Sequence, residues 1–229
     1  MSDMKSAEIQ YGERIGSGGS DAILSSYFRD ILKDLHIDTN RFLALLDKYI
    51  IREGLASNTA EISTSRSAFR RELLNPTMTW KVFLKGLKFL KVTNIIMSVT
   101  MFRDDSKTTI HEYEFAISDE LVKDESANSK DANVLELFLR QILDELKIND
   151  EQFSDYLDHY VKISKPGSTP VDQYTTKCSL RREILKDYIS WKIFIKGILF
   201  LRTYKMIFHL NLLYENKLIS THQKTLVFR

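Results

Sequence analysis

Displaced by 111 positions, this sequence matches itself without a gap. Arg29, Ile31, Leu32, Leu35 and Ile37 fall on Arg140, Ile142, Leu143, Leu146 and Ile148, and Arg70-Arg71-Glu72 falls on Arg181-Arg182-Glu183. Trp80-Lys81, Phe83, Lys85-Gly86 and Phe89-Leu90 fall on Trp191-Lys192, Phe194, Lys196-Gly197 and Phe200-Leu201. A repeat of this kind bears on the architecture before any single residue is weighed. It predicts two tandem copies of one small domain: a flexible tail over 1–22, a first domain over 23–117, an acidic linker over 118–132 and a second domain over 133–229. Copies of that size are long enough for a core each, with little stability to spare. Two related surfaces on one chain suit a partner that is itself repetitive, extended or two-fold symmetric.

The pattern within each copy is α+β, about four helices followed by a β-hairpin. Tyr27, Phe28, Ile31, Leu32 and Leu35 keep the spacing of an amphipathic helix, as do Phe138, Leu139, Ile142, Leu143 and Leu146. Asp38 and Asn149 sit where a second helix needs its cap. A polar loop follows, with Gly54 and Asn58 in one copy and Pro166-Gly167 and Pro170 in the other. A third helix is predicted from Ser63 or Ser65 to Leu74 and from Thr175 to Leu185. Thr79 and Ser190 then cap a fourth, Trp80 to Leu90 and Trp191 to Leu201. Alternation at Ile95, Met97, Val99 and Met101, and at Met206, Phe208, Leu210 and Leu212, marks the strands that close each copy.

Composition excludes several classes. At 43% hydrophobic and 28% charged the chain reads as globular protein, and no apolar run approaches a membrane span. One cysteine, Cys178, permits no internal disulfide and fits a reducing compartment; it is expected to be partly buried. The expectation is a cytoplasmic protein, of the host cytoplasm or the virion if virus-encoded. Gly16 to Ser20 lacks the Lys-Ser/Thr pair of a phosphate loop, and no HExxH, CxxC or GxSxG is present. No catalytic residue, metal ligand or cofactor is therefore assigned. His111 and His222 match across the repeat without metal-ligand spacing, which reads as structural.

Charge is the informative quantity. A net +2 conceals a segregation: Ser63 to Val92 carries seven cations against Glu72, and Tyr174 to Lys205 carries eight against Glu183 and Asp187. A local excess of one sign, kept at equivalent places, is the footprint of an anion-binding face. The candidates are Arg66, Ser67, Arg70, Arg71, Lys81, Lys85 and Lys88, with Lys177, Arg181, Arg182, Lys192 and Lys196 in the second copy. Adjacent helical residues do not face each other, so Glu72 cannot neutralise both Arg70 and Arg71, and one arginine stays for a partner.

Ser65-Arg66-Ser67-Ala68-Phe69-Arg70-Arg71-Glu72, then Asn75-Pro76, then Leu84-Lys85-Gly86-Leu87-Lys88-Phe89-Leu90-Lys91-Val92, resembles part of the Cro/C1-type helix-turn-helix family. That resemblance implies a DNA-binding regulator of transcription in which Arg66, Ser67, Arg70 and Arg71 face DNA and Lys81 and Lys85 lie near phosphates. Copy two has Lys186-Asp187-Tyr188 in place of the Asn-Pro break. The module is also similar to repeated proteins encoded by large tailed bacteriophages.

The expectation is a non-enzymatic pseudo-dimer that binds nucleic acid, duplex DNA favoured, through its third and fourth helices. An alternative is a structural or adaptor protein, of a viral assembly for example, docking acidic protein surfaces through the same basic faces. Single strands or RNA along the hairpins would need aromatics on the sheet, where Ile96, Ser98, Thr100 and Phe102 are expected instead. Trp80 and Trp191 lie on an apolar stripe and read as core. Gly86 and Gly197, costly mid-helix, imply close approach of another backbone or of a ligand, with packing against the helix's own domain the favoured reading.

Overall fold

The computed structural model describes residues 8–11, 19–118, 134–164, 169–186 and 189–228. After strand β1 (Glu8–Tyr11), the first half forms α1 (Gly19–Asp34), α2 (Thr39–Arg52), α3 (Thr59–Leu73), α4 (Trp80–Phe89), β2 (Asn94–Arg103) and β3 (Thr108–Ala116). The second half forms α5 (Val134–Glu145), α6 (Asp150–Ser164), α7 (Pro170–Ile184), α8 (Trp191–Phe200), β4 (Thr203–Tyr214) and β5 (Lys217–Phe228). The expected order of four helices and a hairpin thus occurs twice, in one mixed α+β structure.

Local chemistry explains the helix ends. Asp38, Thr79 and Ser190 accept from the backbone N–H three residues on, as the sequence predicts. The third helix starts earlier than expected. Asn58 Oδ1 accepts from Glu61 N while Glu61 takes the Ser57 N–H, a reciprocal cap that recruits residues read from sequence as loop. In the second half Thr169 caps α7, and Pro170 occupies the first helical turn, where its missing N–H costs nothing. Four ordinary residues end helices in the left-handed conformation: His36 and Lys147 (both φ 52°), and Lys91 and Arg202 (φ 64° and 59°). Each pair is separated by 111 positions.

The strands form one sheet in the order β1-β5-β4-β2-β3. The two hairpins meet at its centre, where β2 and β4 run antiparallel and Ser98 lies opposite His209, its own counterpart in the repeat. The expected apolar rows, Ile95 to Met101 and Met206 to Leu212, are buried on the same face. Among the described residues the helices pack on that face. Among the described residues no helix is long and apolar enough to cross a membrane.

Two expectations are corrected. The halves do not enclose separate cores: one continuous cluster runs from Ile23 to Leu226. The cause is that the first helices bridge the halves: α1 packs on α4 of its own half and also on β5 and α8, while α5 packs on α8 of its own half and also on β3. Tyr27 of α1 donates to the Phe208 carbonyl of β4, and His222 Nδ1 of β5 meets Asp34 of α1 at 3.2 Å. The counterpart pair, His111 of β3 and Glu145 of α5, makes the same contact from the other side. The second correction is the tail: residues 8–11 form a strand parallel to β5, and α1 begins at Gly19. The linker read at 118–132 falls outside the described residues except for Ser118.

Gly86 is buried because α1 leaves no room. A Cβ there would lie 2.6 Å from Phe28, and one at Gly197 would lie 2.7 Å from Leu139, the residue equivalent to Phe28. Close helix packing within each half accounts for both glycines.

Candidate nucleic-acid interface

The basic candidates lie on α3 and α4 and on α7 and α8, where Phe69 and Leu73, or Leu180 and Ile184, anchor the outer helix to the core. A helix pinned along one side turns the rest of its circumference outward. What that surface presents depends on which cations already hold a carboxylate, and here the halves behave alike.

Arg66 Nε donates to Asp47 Oδ1 of α2 at 2.6 Å, and Lys177 pairs with Asp158 of α6, the equivalent two positions. Lys85 reaches Glu72 at 2.9 Å, and Lys196 reaches Glu183 at 2.9 Å. Lys85 also lies 4.8 Å from the Phe69 ring centre. Lys88 is held by Glu53 at 2.7 Å. Burial raises the pKa of Glu53, but its hydrogen bonds to Lys88 and Arg52 outweigh that and hold the carboxyl below its ordinary value. Five of the predicted cations thus stitch helices together.

The exceptions are the two arginine pairs. Glu72 and Glu183 were expected to neutralise one arginine of each pair, but they are taken by Lys85 and Lys196 instead. Arg70, Arg71, Arg181 and Arg182 are exposed in the last turn of their helices, and none has a carboxylate partner among the described residues. Arg181 also has an aromatic neighbour, with the Phe153 ring centre 5.7 Å from its guanidinium. Arg70 and Arg71, with Ser67, Leu74, Asn75 and Pro76, line a surface cleft of about 430 Å³ that has no acidic wall. Asn75 Oδ1 is occupied by the Thr77 N–H and hydroxyl at 3.0 and 3.1 Å, which fixes the turn beneath it. Lys81 and Lys192 are half-buried on α4 and α8, and Ser67 is exposed, its hydroxyl donating to the Ser63 carbonyl at 3.0 Å.

Other residues singled out by the sequence resolve structurally. Trp80 and Trp191 are both buried and stack on each other with ring centres 5.7 Å apart. Both histidines are buried contacts between the halves. Cys178, expected to be partly buried, is exposed on α7 instead, because Leu180 and Ile184 take the inward positions of that helix.

No family model matches the chain, and no curated protein or solved structure is significantly similar to it.

Proposed function

We propose that this chain is an internally duplicated, two-headed nucleic-acid-binding protein without enzymatic activity, and that duplex DNA is its favoured partner. The duplication is supported by the repeated element order, the paired left-handed helix ends and the meeting of Ser98 with His209. The observation that carries the binding reading is the exposure of Arg70-Arg71 and Arg181-Arg182 at equivalent places. Their neighbours are absorbed into ion pairs while these four guanidinium groups stay open to solvent.

Guanidinium is weakly hydrated and presents a planar fork of donors matched to phosphate oxygens. Two such pairs related by an approximate two-fold suit a duplex, whose backbones are themselves related by two-fold axes. Phosphate contacts would supply most of the affinity and make it strongly salt-dependent. If α3 is the reading helix, as the helix-turn-helix resemblance implies, Ser67 and Arg70 are the residues placed to reach base edges. Arg66 would be a brace to α2.

Fluorescence anisotropy with duplex DNA, single-stranded DNA and RNA probes at two salt concentrations tests this. The expected result is tightest binding to duplex, lost when Arg70, Arg71, Arg181 and Arg182 are all replaced by alanine. Absence of binding to all three probes at low salt would overturn it and point to an acidic protein surface as the anion.

A further inference from the structure

We propose that the outer edge of β3 is a docking site for an extended segment of a partner protein that carries Lys or Arg at alternate positions and adds to the sheet as a further strand. This stands independently of the nucleic-acid reading.

The two ends of the sheet are built from equivalent strands and finished differently. On β5 the outer edge is covered by β1, which pairs in parallel from Thr225 to Phe228. The corresponding stretch of β3 is Glu114 to Ile117, and among the described residues no strand pairs with its outer side. The fold therefore already accepts an added strand at this kind of edge.

The hydrogen-bond phase shows which groups are on offer. Ile117 N donates to Thr93 O at 2.7 Å and Arg103 N donates to Lys107 O at 3.1 Å, so the odd-numbered residues of β3 bond to β2. The N–H and C=O groups of Thr108, Ile110, Glu112, Glu114 and Ala116 consequently face away from the sheet. Among the described residues, only the Glu112 carbonyl has a side-chain donor, Gln141 Nε2 at 3.1 Å. Edges like this are usually blunted by proline, a bulge or lysine. Strand β3 has none of these: its sequence is TTIHEYEFA and its register with β2 is unbroken.

Charge selects the occupant. The side chains beside the outward amides include Glu112 and Glu114, both exposed. A second copy pairing β3 to β3 antiparallel would set these glutamates of two chains against each other. The N-terminal strand of a second copy, in the register it keeps on β5, would bring Glu8 opposite Glu114. Like charges directly opposite are destabilising, and opposite charges there are favourable. A cationic strand meets the backbone and both carboxylates at once.

The test uses the full chain, isotope-labelled, and a synthetic peptide Thr-Lys-Val-Lys-Val-Lys-Val-Thr. At saturation, the amide protons of Ile110, Glu114 and Ala116 should exchange with solvent at least about tenfold more slowly, while those of His111 and Tyr113, already bonded to β2, change little. The same peptide with glutamate for lysine should have no effect. A version with N-methylated central valines keeps its charge but cannot pair, and should also have none. Glu112→Lys with Glu114→Lys should reverse the preference between the two charged peptides. The proposal is overturned if the lysine peptide slows no β3 amide, or if the N-methylated peptide acts equally well. The parent protein alone decides both of those outcomes.

Discussion

Trp80 and Trp191, equivalent residues 111 positions apart, stack on each other with their ring planes 8° from parallel. A residue that packs against its own counterpart lies on an approximate two-fold axis, and here that contact is buried in a core common to both halves. Trp191 also touches Phe208 at 5.1 Å, which ties the axis to the sheet. Trp191→Ala should therefore destabilise the whole chain by about 3–5 kcal/mol. Chemical denaturation should show one transition shifted to lower denaturant. Two transitions, only one of them shifted, would mean that the halves unfold independently.

The bridging of the halves by their first helices makes a second expectation. Residues 19–118 alone would carry α1 without β5 and β3 without α5, leaving Tyr27, Tyr113 and the His111 side chain without their partners from the other half. That fragment should lack a cooperative thermal transition by circular dichroism and expose apolar surface to a dye. A fragment melting as sharply as the parent would count against the shared core.

Gly86→Ala provides a local test of packing against propensity. Alanine in mid-helix gains roughly 1 kcal/mol over glycine. The new methyl would meet the ring of Phe28, itself fully buried, at 2.6 Å. Overpacking typically costs about 1–3 kcal/mol, so a lower urea midpoint is expected. A stabilised variant would show that the α1–α4 contact is loose.

Much of this was legible in the sequence, and the losses have physical causes. The offset between Trp80 and Trp191, the caps at Thr79 and Ser190 and the alternation of β2 and β4 are local patterns, and they reappear as structure. Periodicity tells which face of a helix is buried but not against what, so the crossing of α1 to β5 was invisible. Strand β1 is four residues long, too short for a pattern, and exists because β5 offers an edge. The matched charge excess was correct as a count. It overstated the free cations because Asp47, Glu53 and Asp158, which absorb Arg66, Lys88 and Lys177, lie outside the basic segments.

Acidification should weaken the fold through His222. Burial holds its imidazole below the ordinary value, with Asp34 and Asp30 pulling it back up and Lys224 pushing it down. A depressed folded-state pKa means that the unfolded chain binds the proton more readily. Stability is then fully present above the unfolded value near 6.5 and falls as the pH drops below it. Burial also depresses His209, in the same direction. The urea midpoint should be lower at pH 5.5 than at pH 7.5, and the difference should shrink in a His222→Gln, His209→Gln variant. An undiminished difference would assign the effect to carboxylates instead.

The ion pairs separate bracing cations from binding ones. Lys85 and Lys196 hold α4 and α8 to the glutamates of α3 and α7, and each is about three-quarters buried. Lys85→Ala with Lys196→Ala should lower stability modestly while leaving nucleic-acid affinity within about twofold, because partly exposed pairs contribute roughly 1 kcal/mol or less. Arg70→Ala with Arg71→Ala should do the reverse. Those side chains are exposed and have no carboxylate partner among the described residues, so the denaturation midpoint should stay near that of the parent. The log–log salt slope should flatten by roughly 0.9 for each phosphate contact removed, leaving a protein that binds through Arg181 and Arg182 alone. Measuring both variants by salt-titrated anisotropy and by denaturation gives a crossed pattern under this assignment. If the lysine variant loses binding as severely as the arginine variant, the ion-paired lysines exchange their glutamates for phosphates and belong to the interface themselves.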